Sequence, residues 1–541
     1  MPNIEIKQLS SLAKVFPNQI YGNEIECGEI ARGQSFSYQI ALRGDSAKLS
    51  YKIICDESLK VTVSRVGCVP MTMPTYESCM DEDYLTKTPG PVPDVLFPQE
   101  GCEIKTSAEY TALWLEVEPT TNAVSQNYDI VAVFYENGVE IERKAITMRL
   151  HGYELPSQDL IFTQWFHADC IADFHGVPVY SEEHWTLIEK YVSVAASHGM
   201  NMILTPVLTP PLDTEVGGER TTVQLVKIEK KGKKYTFDFS LLERFIDVCL
   251  KCGIKYFEIN HMFTQWGAKN TPKVVATIDG CEEKIFGWHT DASSKEYTYF
   301  LKKLIPAIIE VFDKKSIERS RIYFHVSDEP NDGCIEEYKK AYKVLARLIK
   351  GCEQIDAISH FEFYKKKIIK TPVVATNAIE PFLDAKVPNL WCYYCCAQHT
   401  AVSNRFMAMP SYRTRIIGVQ MYKCSIVGFL HWGFNFYNLQ YSKGKINPYE
   451  VTDAGGSFPS GDSFSIYPYE NYAIPSFRMK IFKNAIDDMR LLTLLEKKIG
   501  KESVVALIDR IAGTDVTFKN YPKNEDFFPR LYSEIFKLLN E

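Results

Sequence analysis

Between residues 156 and 500 the chain alternates short apolar runs with stretches of helical period, about eight such pairs in succession. This rhythm is the strongest constraint on its fold. Leu160 to Phe166 reads as a strand. Ser181 to His198 carries Trp185, Ile188, Tyr191, Val192 and Ala195 at helical spacing, with Gly199 as the stop. Further strands are expected at 200–207, 254–259, 321–326, 372–375, 390–394 and 426–432. Helices are expected at 241–252, around Tyr297 to Ile308, from Ile335 to Leu348, at 412–422 and around Ile481 to Leu492. A repeating strand–helix unit of this size predicts a (β/α)₈ barrel of the TIM type. The competing open, doubly wound sheet wants a glycine-rich turn after its first strand, where this chain has Trp165-Phe166-His167-Ala168-Asp169.

Before residue 156 the texture is all-β. Alternating runs at Phe36 to Leu42, Val61 to Ser64, Ala112 to Val117 and Ile130 to Tyr135 are separated by turn residues, including the hairpin signal Asn137-Gly138. A β-sandwich is expected. The stretch Thr86 to Pro98 holds Pro89, Pro91, Pro93 and Pro98 and reads as a rigid loop. The predicted organisation is a sandwich at 1–155, a catalytic barrel at 156–500 and a helical C-terminal tail at 501–541.

The charge balance is 61 Lys and Arg against 68 Asp and Glu, with no long basic run, so no nucleic-acid partner is expected. No apolar run reaches the ~18 residues a membrane span needs. The first residues, Met1 to Lys7, lack an export pattern, and the 15 cysteines read as reduced thiols, which predicts a cytoplasmic protein. The Cys249/Cys252 and Cys392/Cys395 pairs read as buried structural thiols, with neither metal nor other cofactor expected. No motif speaks to oligomeric state.

In a barrel the reacting groups stand at the C-terminal ends of the strands. Those ends carry Trp165, His167 and Asp169 (first strand), His261 and Trp266 (third), Asp328 and Glu329 (fourth), Tyr393 (seventh), and Trp432 and Asn435 (eighth). Flat aromatics beside hydrogen-bonding groups suit a sugar ring, with its apolar C–H faces and polar rim. Trp165, Trp266, Trp288, Tyr393 and Trp432 are the candidate platform, and His167, Asp169, His261 and Asn435 the candidate polar contacts. His325 reads as an inward structural residue, and the loop from Thr209 to Arg220 as either a lid or surface decoration.

The sharpest signal is Asp328-Glu329-Pro330. Adjacent acids after an apolar strand repel one another, and such positions rarely serve packing alone. A helix N-terminus is the competing explanation. On a regular strand neighbours point to opposite faces, so both acids reach one pocket only if the backbone turns; Pro330 is expected to give Glu329 an extended exit. Neighbouring carboxyls do not easily straddle a glycosidic bond, as two-carboxylate hydrolysis requires. They better fit a reaction in which a 2-acetamido group of the substrate is the nucleophile, Glu329 acts as acid and then base, and Asp328 orients the acetamide.

The segments His325 to Pro330, Gly428 to Asn435, Gly461-Asp462 with Tyr467-Pro468, and Pro475 to Arg478 through Ala485 to Asp488 resemble the 4091 domain family of unknown function, a relative of the family 123 glycoside hydrolases, across nearly the whole chain. The resemblance implies a sandwich before a barrel and a retaining β-N-acetylgalactosaminidase-like activity. It also implies substrate-assisted catalysis, with Asp328 as acetamide-orienting residue and Glu329 as acid/base. The expected function is thus hydrolysis of a terminal β-linked 2-acetamido hexose. The alternatives are a glycosidase for another sugar, a catalytically idle carbohydrate binder, and a lyase or isomerase using the same acids.

Overall fold

The computed structural model describes residues 4–44, 48–265, 267–330 and 332–541. Two five-stranded sheets form the N-terminal sandwich. One runs in the order Ile4–Ser10, Phe36–Gly44, Thr111–Pro119, Leu59–Met71, Gly90–Pro98. The other runs Cys27–Arg32, Val139–Glu154, Asn127–Glu136, Lys48–Ile54, Glu103–Lys105. Period-two alternation decides what each face meets. Ile40, Leu42, Leu113 and Leu115 point between the sheets, while Ala41 and Trp114 point out the other side, onto Phe477, Ile481 and the C-terminal helices. The first sheet is therefore buried on both faces. The hairpin at Asn137-Gly138 forms as expected, with both residues at positive φ.

The proline-rich stretch departs from expectation. Gly90–Pro98 is a strand, paired antiparallel with Leu59–Met71. It lies at the sheet edge, where a strand tolerates missing N–H donors.

The barrel strands are Ile161–Gln164, Met202–Thr205, Tyr256–Ile259, Ile322–Phe324, Glu353–Ile358, Thr371–Ala375, Trp391–Tyr393 and Gly428–His431, all parallel, with the first beside the eighth and so on round to the second. Asn201 draws the first and second strands together at the remaining seam. Its Oδ1 accepts from the Phe162 N–H at 2.8 Å and its Nδ2 donates to the Leu160 carbonyl at 2.9 Å. The barrel interior is filled by side chains such as Met202, Leu204, Ile355, Val373 and Trp391. Gly428 is required by that filling, since a Cβ there would lie 2.0 Å from the Trp391 ring.

Outside lie the helices Glu182–Ser197, Ser240–Lys251, Lys295–Lys314 and Ile335–Ala346, short helices after the fifth and sixth strands, and the long helix Phe477–Ile499 after the eighth. The helix expected at 412–422 is two short ones, Ser411–Arg415 and Ile417–Lys423. Two hairpins inserted after the second and third strands, which the sequence reading passed over, join into a four-stranded sheet. The tail helices Lys501–Ala512 and Phe527–Asn540 share one apolar cluster with the long helix and the sandwich. Among the described residues no helix is long and apolar enough to cross a membrane.

Candidate active site

A recess of about 840 Å³ opens at the C-terminal ends of the barrel strands. Trp165, His167, Asp328, Glu329, Tyr393 and Trp432 all line it, drawn from the first, fourth, seventh and eighth strand ends.

The acid pair is held from behind. Asp356 Oδ1 accepts the backbone N–H groups of Val326 (3.0 Å) and Ser327 (3.3 Å), and Ser327 Oγ donates to the Thr264 carbonyl at 2.8 Å. The chain then turns abruptly. Glu329 adopts φ +40°, in the left-handed region, not the extended exit expected from Pro330. That conformation is costly for a residue with a Cβ. It breaks the strand alternation, so that consecutive carboxyls face one hollow. The helix Ile335–Ala346 begins only beyond Pro330, after a turn of 3₁₀ helix.

Asp328 is half-buried and Glu329 exposed toward the recess, whose walls crowd both. Both carboxyls are pushed above the ordinary range. For Asp328 the causes are burial and then the Glu329 charge, opposed by His325. For Glu329 the cause is burial, opposed by the Tyr393 hydroxyl, which donates to Oε1 at 2.6 Å. Two acids so placed hold a proton between them more readily than either would alone.

Buried carboxylates fix the aromatic walls. Trp165 Nε1 donates to Glu258 Oε1 at 2.7 Å, and Trp432 Nε1 to Asp462 Oδ2 at 2.9 Å. Burial raises Asp462 to about 6. His167 is neutral because burial and the neighbouring Arg220 push it down. Its Nδ1 accepts from Arg220, and its Nε2–H donates to the Trp432 carbonyl at 3.1 Å.

Four expected contacts, all described, stand outside the lining. Both oxygens of Asp169 are taken by Arg220, at 2.8 and 2.9 Å. Asn435 is wholly buried and straps the His167 backbone, accepting its N–H and donating to its carbonyl. His261 lies beneath, stacked on His325 at 4.2 Å between ring centroids. Trp288 lines a neighbouring pocket built from the 209–220 loop and residues flanking the second inserted hairpin, such as Thr271, Lys273 and Gly287. Trp266 lies outside the described residues.

The recess also holds Asp213, Gln265, Gln440 and Cys396, none of them a candidate above, and Cys395, expected only as a structural thiol. Asp213 comes from the loop after the second strand, at φ +39°, with Oδ2 accepting the Tyr441 N–H at 2.9 Å. Burial raises it to about 6. Its position after a barrel strand was the available signal. Cys249 and Cys392 are buried in their own elements, and among the described residues no three His, Cys, Asp or Glu side chains are grouped to hold a metal ion.

The family model of the glycoside hydrolase 123 catalytic domain matches residues 165–495. No curated protein matches the chain. Among solved structures, a family 123 glycoside hydrolase from Clostridium perfringens, described for glycolipid glycan hydrolysis, is similar over 99% of this chain and 98% of its own. The identity is 12% and the TM-score 0.73. That likeness is one of fold. A family 39 glycoside hydrolase from Bacteroides cellulosilyticus WH2 aligns over 82% of this chain and 81% of its own, at 9% identity and a TM-score of 0.35, too low to bear on the argument.

Proposed function

Because the chain belongs to glycoside hydrolase family 123 and is a glycosidase, we propose that it removes a terminal β-linked 2-acetamido hexose, N-acetylgalactosamine by preference, with retention and with help from the substrate. The observation that carries this reading is the left-handed turn at Glu329, which gives two consecutive carboxyls one hollow.

In this reading the sugar lies against Trp165 and Trp432. Asp328 accepts the acetamide N–H, which favours the charged form of that carboxyl and leaves the pair's proton on Glu329. Tyr393 occupies Glu329 Oε1, so the proton is on Oε2, from which it passes to the departing oxygen. The acetamide carbonyl oxygen attacks the anomeric carbon as that bond breaks. The resulting oxazoline cation is stabilised by Asp328. Glu329, now ionised, takes a proton from water, which opens the ring with the original configuration. Fifteen free thiols support a reducing compartment such as the cytoplasm as the place of action. A glycolipid headgroup, the class of glycan associated with the Clostridium perfringens enzyme, is one carrier of such a terminal sugar.

Asp213 supports a second reading. A further carboxyl in the same recess is available as nucleophile toward a sugar without an acetamide. A panel of aryl glycosides separates the two. Turnover of the β-N-acetylgalactosaminide but not the plain β-galactoside, with the β-anomer released first by NMR, is the expected result. Preference for the plain galactoside would overturn the acetamide role of Asp328.

A further inference from the structure

Beneath the recess lies a set of charged side chains that the proposed reaction does not touch. Glu258 on the third strand, His325 just past the fourth and Asp356 on the fifth are each wholly buried. His325 Nε2 donates to Glu258 Oε1 at 2.6 Å, and its Nδ1 faces Asp356 Oδ1 at 3.4 Å. The Nε2 contact is a hydrogen bond and the Nδ1 contact an ion pair, and both carboxyls are best met by the doubly protonated ring. Burial pushes this ring toward neutrality, but Asp356 and Glu258 outweigh it and hold His325 up to about 9. The remaining neighbours do not compete. His261, stacked on its face, is pushed down by burial and by the His325 charge, and the Trp165 indole meets it edge-on.

The same three residues grip the parts of the recess that matter. Glu258 Oε1 also accepts from the Trp165 indole, and Thr163 Oγ1 donates to Oε2. Asp356 takes the two backbone N–H groups directly ahead of the acid pair, and the Tyr338 hydroxyl donates to its other oxygen. The charged groups acting on Asp328 are Glu329, His325, Asp356 and Asp213, and His325 is the cation among them.

We propose that Glu258, His325 and Asp356 form a positioning triad for the acid pair, in which the His325 cation favours ionised Asp328 and so helps the substrate's acetamide leave the shared proton on Glu329. This rests on the reading of Asp328 and Glu329 as the working pair. The triad moves no proton in the reaction. It fixes where the pair stands and eases the charging of Asp328 that the acetamide N–H completes.

The test uses the full chain. With ¹⁵N-labelled histidine, one of the 11 imidazoles is expected to remain doubly protonated at pH 8, where an ordinary histidine is neutral. In His325→Asn that signal is expected to vanish. The acid limb of kcat/KM on the aryl glycoside, which follows ionisation of Asp328, is then expected to move up by about one pH unit or more. A purely structural role would lower stability and leave the limb in place. Eleven neutral imidazoles at pH 8, or an unmoved limb in a variant that still melts cooperatively, would overturn the triad. If the variant does not fold, the wild-type spectrum decides alone. Because that spectrum needs no substrate, a missing imidazolium in an active enzyme strikes the triad only, whereas a wild-type protein that hydrolyses none of the panel strikes the proposed reaction.

Discussion

The Tyr393 hydroxyl, at the end of the seventh barrel strand, donates a 2.6 Å hydrogen bond to Glu329 Oε1 beyond the end of the fourth. Burial raises the Glu329 carboxyl and this bond pulls it back. Tyr393→Phe removes the pull, so Glu329 keeps its proton to higher pH. A general acid works only while protonated, so the basic limb of kcat/KM is expected to move upward. Loss of orientation is expected to lower kcat by about tenfold. A pH–rate profile of wild type and variant checks both, and a limb that stays put contradicts the role given to this bond.

Glu329→Gln keeps the shape of the side chain and deletes its proton chemistry. Hydrolysis of glycosides with poor leaving groups is expected to fall by about 10² to 10⁴. Aryl substrates whose leaving group needs no protonation are expected to lose far less in the bond-breaking step. Binding measured by calorimetry is expected to persist, which separates an enzyme from a binder that would hardly notice the change.

Asp328→Asn keeps the size and loses the charge that would face the oxazoline. Turnover of the acetamido glycoside is expected to fall by about 10² or more. A thiazoline mimic of the oxazoline is expected to lose much more affinity than the sugar product does, since only the mimic resembles the charged intermediate. Equal losses for both ligands would remove Asp328 from the cationic step.

Seven of the eight barrel strands were legible as compact apolar runs, but Glu353–Ile358 was not, because Glu353, Gln354 and Asp356 interrupt its apolar residues. Trp165, His167, Tyr393 and Trp432 were legible as strand-end residues for the same reason. Asn435 and Asp169 have the same kind of address, yet their polar atoms are spent on the His167 backbone and on Arg220. Sequence position places a residue at the barrel mouth but not its side chain's partner, which comes from a distant segment. The 209–220 loop was legible as a possible lid, but not Asp213 as a recess carboxyl, because its placement depends on Tyr441 and Gln265. The left-handed turn at Glu329 ran against the local bias of Pro330, as expected where tertiary contacts override local preference at a working site.

Asp94 and Arg478 join the edge strand misread as a loop to the first turn of the long helix. Arg478 Nε and Nη2 donate to the two Asp94 oxygens at 2.7 and 2.8 Å, and Tyr467 donates at 2.6 Å, all fully buried. Asp94→Ala strands a buried guanidinium and is expected to cost about 3–5 kcal/mol of unfolding free energy. Replacing both partners by apolar residues, as in Asp94→Leu with Arg478→Met, is expected to cost less than the single change. Urea unfolding of the three proteins measures this, and a double variant weaker than Asp94→Ala would contradict it.

Asp213 gives a prediction of opposite sign to His325. Burial and the charges of Glu329 and Asp356 hold Asp328 up, and the charge of Asp213 adds to them. Asp213 is itself raised to about 6 by burial, so it acts as an anion on its neighbour only above that pH. Asp213→Asn removes this push, and Asp328 ionises more easily. The acid limb of kcat/KM is therefore expected to move down by a few tenths of a pH unit, about the effect of one charge across a wet recess. Turnover at the optimum stays within about tenfold of wild type. If Asp213 were the nucleophile of a two-carboxylate reaction, the same variant would abolish turnover on every glycoside in the panel, and no limb would remain to measure.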